Sequence, residues 1–177
     1  SSSSAASDVY KRQACEWIDV DILKGECRTD TFLAKSPNGK IPILELDDGR
    51  VLSESNAIMH YLASGSAFIP TSPFTFATLL QWQFFEQYSH EPYIAVARYI
   101  NLYLGLPEDR KAEYEAKQAG GYRALEVMDK QLSQTPFLLG NQISLADISL
   151  FAYTHVAHEG GFDLAAYPAI RNWITLI

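Results

Sequence analysis

A short segment rich in proline, glycine and serine divides this chain and constrains its fold more than any other feature. The segment "ASGSAFIPTSPF" covers residues 63–74 and lies between a short amphipathic pattern and a long run of aromatic and aliphatic residues. Proline and glycine end helices and strands, and such composition is typical of the links between domains. We therefore predict two domains, over residues 14–64 and 75–177, with a linker at 65–74.

Strand and helix patterns alternate before the linker. "EWIDVDI" (16–22) and "IPILEL" (41–46) have the alternation of strands, and "DTFLAK" (30–35) between them is a candidate short helix. "DDGR" (47–50) is a tight turn that returns the chain to the sheet. A helical pattern begins at Ser55. The first domain is therefore predicted to be small and α/β.

Helical patterns occupy the whole region after the linker. Residues 76–104 are densely apolar and are interrupted once, by Pro92, which we expect to kink or end the helix. A second long helix is predicted over 108–134. It contains Gly120 and Gly121, which lower helix propensity and indicate close packing against a neighbour. The second domain is therefore predicted to be all-α.

A third helix, predicted over 143–157, begins with a recognisable cap. Ser144 and Asp147 occupy the N-cap and N3 positions, and Ile143 and Ile148 flank them as a hydrophobic staple. Side chains at these positions satisfy helix-end amides, an effect of about 1 kcal/mol. We assign Ser144 and Asp147 a structural role and no catalytic one.

Composition and charge exclude several classes of function. The formal net charge of −7 and the pI near 5.0 argue against a phosphate backbone as partner, and there is no run of about eighteen apolar residues. Cys15 and Cys27 lack the spacing of a redox or zinc motif. His155 and His158, in "HVAHE", have no evident third ligand. We expect no nucleic acid, no membrane and no metal.

Two stretches of the first domain carry the chemistry of a small binding site. Pro42 has no N–H group to donate to a sheet, and it favours an extended backbone at Ile41. The backbone edge after Lys40 is therefore left open, and an extended peptide can pair with it there. Glu54 and Ser55 stand where a helix begins. Bare amides and a hydroxyl can bind a carboxylate there, and the Glu54 carboxylate can bind an ammonium group. Together these residues predict a pocket for a zwitterionic peptide, although Glu54 and Ser55 taken alone also fit an ordinary helix start.

Two motifs resemble those of the glutathione transferase family. They are "SPNGKIPILELDDGRVLSESNAIMHYLA" at 36–63 and "GNQISLADISLFAY" at 140–153, in the order and spacing of that family. The resemblance implies a thioredoxin-like first domain and an all-helical second domain. It also implies a cytoplasmic homodimer that binds glutathione as co-substrate together with a small electrophile or peroxide.

The resemblance also implies roles for individual residues. Pro42 is expected to follow a cis peptide bond, and the backbone of Ile41 to pair with the cysteinyl part of glutathione. Glu54 and Ser55 are expected to hold the γ-glutamyl end, and Lys40 the glycyl carboxylate.

Aromatic residues of the long helix have two possible roles. In the family, the matching helix lines the site for an apolar co-substrate, which makes Tyr88 and Tyr93 candidates for a substrate pocket. We favour core or domain-interface packing as the role of most of these aromatic residues, which also include Trp82, Phe84 and Phe85.

The catalytic residue is not identified. The family uses Ser, Cys or Tyr between its first strand and first helix, and that strand is expected before Ala14. Residues 3–13, "SSAASDVYKRQ", match the one-frame translation of a sequencing-library adapter, so we expect residues 1–13 to be non-native and to form no part of the fold. The last helical pattern has no C-terminal cap, so truncation is expected there too.

Two functions stay open for the intact parent protein. One is a glutathione transferase that promotes attack by the glutathione thiolate on an electrophile or peroxide. The other is a non-catalytic binding or assembly module of the same fold. Without its first strand, we expect the 177-residue chain itself to be inactive.

Overall fold

The computed structural model describes residues 15–177 and divides the chain into two compact units. One unit extends to Gly65 and the other begins at Ser66. The first contains a two-stranded sheet and short helices, and the second is almost entirely helical. The expected order of an α/β part followed by an all-helical part is confirmed.

A β-hairpin organises the first unit. Strand β1 pairs with β2 in antiparallel register, with Ile43 opposite Ser53 and Glu45 opposite Val51. Gly49 adopts φ 83° in the connecting turn, a conformation that glycine reaches without strain. The elements in chain order are a 3₁₀ turn (Glu26–Arg28), helix α1 (Asp30–Lys35), strands β1 (Ile43–Glu45) and β2 (Val51–Ser53), and helix α2 (Ser55–Leu62).

The strand predicted at 16–22 is wrong. Within the described part of the chain these residues join no sheet, and the side chains of Trp17, Ile18 and Ile22 are 49%, 72% and 47% exposed. A strand requires a neighbour to accept and donate its backbone hydrogen bonds. Because β1 and β2 pair only with each other among residues 15–177, the alternating pattern has no partner there.

The second unit contains five helices of eight or more residues within the described residues. The long helical stretch is interrupted just before Pro92 by a π turn, in which the Glu91 amide donates to the Glu86 carbonyl. Pro92 then falls in the first turn of the next helix, where its missing N–H costs little. The elements are α3 (Pro73–Phe85), a π turn (Glu86–His90), α4 (Glu91–Arg98), a π turn (Tyr99–Tyr103), a 3₁₀ turn (Glu108–Arg110), α5 (Lys111–Leu132), α6 (Leu145–Thr154), a 3₁₀ turn (Ala157–Gly160) and α7 (Pro168–Leu176).

The two glycines of α5 allow close packing, as their sequence position indicates. A Cβ atom on Gly120 would lie 2.1 Å from the ring of Tyr93, and one on Gly121 would lie 2.3 Å from the ring of Phe162. These rings occupy the space that side chains would take. The surrounding core is formed by fully buried side chains that include Leu79, Ile94, Ile100, Leu125, Met128, Leu150 and Trp173.

Asp147 is the acceptor at the centre of the helix α6 cap. Its carboxylate accepts hydrogen bonds from the Ser144 amide and hydroxyl, each at 2.9 Å, so the reciprocal capping contacts are present. It also accepts from the Leu138 amide at 2.9 Å and from the Trp173 indole at 3.0 Å. Burial raises the pKa of Asp147, and these hydrogen bonds oppose the shift.

Helix α7 receives its polar partners from two other helices. The Ile170 amide in its first turn donates to Asp129 of α5 at 3.0 Å, while Trp173 is fully buried and donates to Asp147 of α6. The side chain of the N-cap residue, Tyr167, does not cap the helix.

Among residues 15–177, no helix combines the length and apolar character that crossing a bilayer requires. The same residues contain no group of three or more His, Cys, Asp or Glu side chains arranged to hold a metal ion.

Candidate glutathione-binding site

The hairpin register brings the two predicted halves of the site together. Ile43 and Ser53 are opposite each other, so the residues just before β1 and those just after β2 emerge at the same end of the hairpin. These residues are Ile41–Pro42 and Glu54–Ser55. Segments twelve positions apart in sequence thereby become neighbours.

The loop that leads into β1 has a defined backbone. The peptide bond between Ile41 and Pro42 is cis, as the family resemblance implies. Ser36 is buried and holds the preceding turn: its carbonyl accepts from the Gly39 amide at 2.8 Å, and its hydroxyl donates to the Lys40 carbonyl at 3.4 Å. Ile41 is 37% exposed, so an extended ligand can reach it.

Glu54 has an unusual backbone conformation. Its φ of 70° and ψ of 114° place it in a region that non-glycine residues rarely adopt. Such conformations cost about 1–3 kcal/mol and concentrate at functional sites. The side chain is exposed, and no described residue forms an ion pair or hydrogen bond with its carboxylate. An exposed, unpaired carboxylate on a strained residue can receive a cationic ligand group.

Ser55 begins helix α2 directly after this residue. The Glu54 carbonyl accepts from the Ile58 amide at 3.0 Å, but the Glu54 side chain does not cap the helix. The positive end of the helix is therefore not neutralised by its own N-cap, which favours a carboxylate ligand. Together, Glu54 and Ser55 offer complementary contacts for an amino acid with both charges.

Two basic residues lie beside the turn before Ile41. Lys40 is exposed, and the guanidinium of Arg28 contacts the Asn38–Gly39 turn by donating to the Asn38 carbonyl at 3.4 Å. Arg28 was not predicted here, because it is distant in sequence from the turn on which it packs. Ser36 belongs to the motif at 36–63, but its residue type did not indicate that it is buried against this turn.

The aromatic candidates belong to the helical unit. Tyr88 is 78% exposed. Tyr93 packs over Gly120, with the Lys117 ammonium 5.7 Å from its ring centroid. Trp82 is buried and meets Phe85 edge to face at 5.3 Å, which is a packing role. A substrate role for Tyr88 and Tyr93 stays a prediction.

A shallow cavity of about 310 Å³ lies between α3 and α5. Its wall is mixed, since three glutamines and a lysine lie beside aromatic and aliphatic side chains. Its lining consists of Gln81, Trp82, Phe85, Val127, Lys130, Gln131 and Gln134.

The adapter-like segment 3–13 and the expected position of the catalytic hydroxyl or thiol lie outside the described residues. The glutathione-binding residues predicted from sequence are all described, and they lie in the first unit.

Family profiles match both parts of the chain. The profile described as "Glutathione S-transferase, N-terminal domain" matches residues 11–64, and "Glutathione S-transferase, C-terminal domain" matches residues 111–175. The fold is similar to the crystal structure of a glutathione S-transferase from Pseudomonas fluorescens Pf-5, with a TM-score of 0.97 and 57% identity, over 99% of this chain and 87% of that one.

Curated relatives include an enzyme and a translation factor. The chain is 33% identical over 163 residues to the disulfide-bond oxidoreductase YfcG of Escherichia coli, covering 88% of this chain and 75% of the relative. It is 34% identical over 151 residues to elongation factor 1-gamma of Danio rerio, covering 82% of this chain but 33% of the factor. With a thioredoxin-like first unit and an all-helical second unit, the chain belongs to the glutathione S-transferase family.

Proposed function

We propose that this chain is the glutathione-binding body of a glutathione transferase, which promotes attack by the glutathione thiolate on an electrophilic or peroxide substrate. The observation that carries the proposal is the hairpin register, which places Ile41–Pro42 beside Glu54–Ser55. Family membership supports a cytoplasmic homodimer.

Each residue has a specific task in this proposal. The Glu54 carboxylate binds the ammonium of the γ-glutamyl group, and Ser55 with the start of α2 binds the α-carboxylate. The Ile41 backbone pairs with the cysteinyl residue as a short added strand. The tripeptide is thereby held at its γ-glutamyl end and along its cysteine backbone, so its sulfur is fixed in position for reaction with an electrophile.

The second candidate is a non-catalytic assembly module. The similarity to elongation factor 1-gamma favours it, although this chain spans about one third of that protein. An assembly module of this kind does not require a site that binds a zwitterionic ligand. Glutathione binding therefore discriminates between the two candidates.

The test is titration calorimetry of the 177-residue chain with glutathione. We expect binding in the millimolar range or tighter, weakened about tenfold or more by Glu54→Gln, because one charged hydrogen bond is lost. The matched control is Glu16→Gln, which removes an exposed glutamate elsewhere in the same unit. Absence of binding at millimolar glutathione, with a cooperative thermal melt, would overturn the proposal.

Resequencing of the source DNA upstream of the Ala14 codon tests whether a catalytic hydroxyl or thiol is encoded there. A strand followed by Ser, Cys or Tyr ahead of a helix supports the transferase. A strand with none of these residues supports the assembly module.

A further inference from the structure

The turn before Ile41 contains the only Asn–Gly pair of the sequence, Asn38–Gly39. The backbone nitrogen of any residue can attack the side-chain carbonyl carbon of an asparagine that precedes it, and a side chain on the attacking residue obstructs that approach. Gly39 has no side chain, and its φ of 61° is a conformation that other residues rarely adopt. Among the asparagines of the chain, Asn38 is therefore the least protected from this attack.

The side chain of Asn38 is free to move toward the nitrogen. Asn38 is exposed, and its carboxamide forms no hydrogen bond with any described residue. The similar pair at the hairpin turn, Asp48–Gly49, differs in this respect. The Asp48 carboxylate accepts from the Arg50 amide at 3.1 Å and pairs with the Arg50 guanidinium at 2.8 Å. The structure thus holds the side chain of Asp48 in place and leaves that of Asn38 unrestrained.

The attacking nitrogen is controlled by the turn itself. The Gly39 amide donates to the Ser36 carbonyl at 2.8 Å, so the nitrogen can attack only when this hydrogen bond opens. The turn joins helix α1, which has six residues, to strand β1, which has three. Turns between such short elements open locally at a low cost in free energy. The reaction is therefore slow but accessible to the folded chain.

We propose that Asn38 is a site of spontaneous covalent modification, at which the side chain is deamidated through a cyclic imide. The Gly39 nitrogen forms a bond to Cγ of Asn38, the bond from Cγ to Nδ2 breaks, and ammonia leaves with the amide proton of Gly39. Water then opens the ring at one of its two carbonyl carbons and gives either aspartate or isoaspartate. No atom is oxidised or reduced, and water is the only co-reactant.

The isoaspartate product is expected to disable the candidate site, a consequence that rests on the proposed function. Isoaspartate carries the main chain through its side-chain carbons, so one extra methylene enters the backbone between Asn38 and Gly39. The Gly39 amide is then displaced from the Ser36 carbonyl, and the backbone of Ile41 shifts with it. That backbone is the edge proposed to pair with the cysteinyl residue of glutathione. The aspartate product adds a charge but leaves the length of the backbone unchanged.

Peptide mapping by mass spectrometry, after storage of the 177-residue chain at mildly alkaline pH, tests the modification. The matched internal control is Asn141, which is also exposed in a loop and is followed by glutamine. We expect Asn38 to be deamidated at least about tenfold faster than Asn141, because glycine leaves the attacking nitrogen unobstructed. Asn38→Gln should stay unmodified, since its longer side chain would have to form a larger ring. A rate at Asn38 no higher than that at Asn141 overturns the proposal.

Calorimetry with glutathione tests the consequence for binding. The deamidated fraction of the wild-type chain, separated by ion exchange, has the same charge as Asn38→Asp but also contains isoaspartate. We expect this fraction to bind about tenfold or more weakly than fresh protein, and Asn38→Asp to lose about fivefold or less. Equal affinities of the two overturn the effect of the longer backbone. Absence of binding by the fresh wild-type chain overturns the proposed function and the effect on binding, whereas the deamidation rate decides on the modification itself.

Discussion

Ile43 lies opposite Ser53 in the hairpin, and this one pairing positions the glutathione-binding candidates. A shift of the register by one residue would turn every side chain of the strand to the other face of the sheet. It would also separate Pro42 from Glu54. The short hairpin is therefore the element whose geometry the site depends on.

Replacement of Glu54 by glycine should lower the affinity for glutathione while raising the thermal stability of the chain. Glu54→Gly removes both the carboxylate and the clash at φ 70°. We expect glutathione affinity to fall about tenfold or more, with a melting temperature raised by about 2–4 °C, because relief of strain exceeds the added chain entropy of glycine by about 1 kcal/mol.

Glu54→Ala is the control for that experiment, since it lacks the carboxylate but keeps a Cβ atom. It should lose affinity without gaining stability. Calorimetry and thermal melts followed by circular dichroism measure both quantities. Equal melting temperatures for the glycine and alanine variants would contradict the strain at Glu54.

Loss of the Asp147 carboxylate should be among the most damaging changes in the helical unit. Asp147→Ala leaves the Leu138 and Ser144 amides and the Trp173 indole without their acceptor. We expect a loss of at least about 3 kcal/mol in the free energy of unfolding, measured by urea denaturation. Ser144→Ala removes only the hydroxyl and should cost about 1 kcal/mol. Equal losses for the two variants would show that the additional acceptor contacts contribute nothing.

His90 should make stability depend on pH. It is fully buried, its Nε2 atom lies 2.9 Å from the Thr154 hydroxyl, and its Nδ1 atom has no hydrogen-bond partner among residues 15–177. Burial lowers its pKa to about 3 from the ordinary 6.5. The unfolded chain therefore binds the proton more tightly, so the contribution of His90 is complete above pH 6.5 and is lost as the pH falls toward 3.

Between pH 6 and 4, this residue should lower the free energy of unfolding by about 1.4 kcal/mol per pH unit. His90→Gln removes the titrating group, so the difference between the two proteins isolates the effect. Parallel pH profiles for the wild type and this variant, from urea unfolding, would contradict the assignment.

Gly120→Ala should destabilise the helical unit because the new methyl group would overlap the Tyr93 ring. Overpacking of this kind costs about 1–3 kcal/mol. Combination with Tyr93→Leu should recover part of the loss, which a double-mutant cycle measures. Additive effects of the two changes would contradict the contact.

Local sequence signals were sufficient to predict most helices and turns, but not to predict which distant residues or strands pack against them. The turn at Gly49, the cap at Ser144 and the close packing at Gly120 follow from short-range stereochemistry, and all appear in the structure. The strand predicted at 16–22 failed because a strand depends on a neighbour that its own pattern cannot reveal. Arg28 escaped prediction for a similar reason, since only the folded chain brings it to Gly39.

Helix α7 depends on Asp129 and Asp147 for its polar contacts, and this has a consequence for how the helical unit opens. Its end cannot fray independently without exposing a buried indole and two carboxylates that belong to other helices. Amide hydrogen exchange in α7 should therefore be as slow as in α5 and α6, although short terminal helices usually exchange quickly. The chain's last helix should thus report on the cooperative opening of the whole unit.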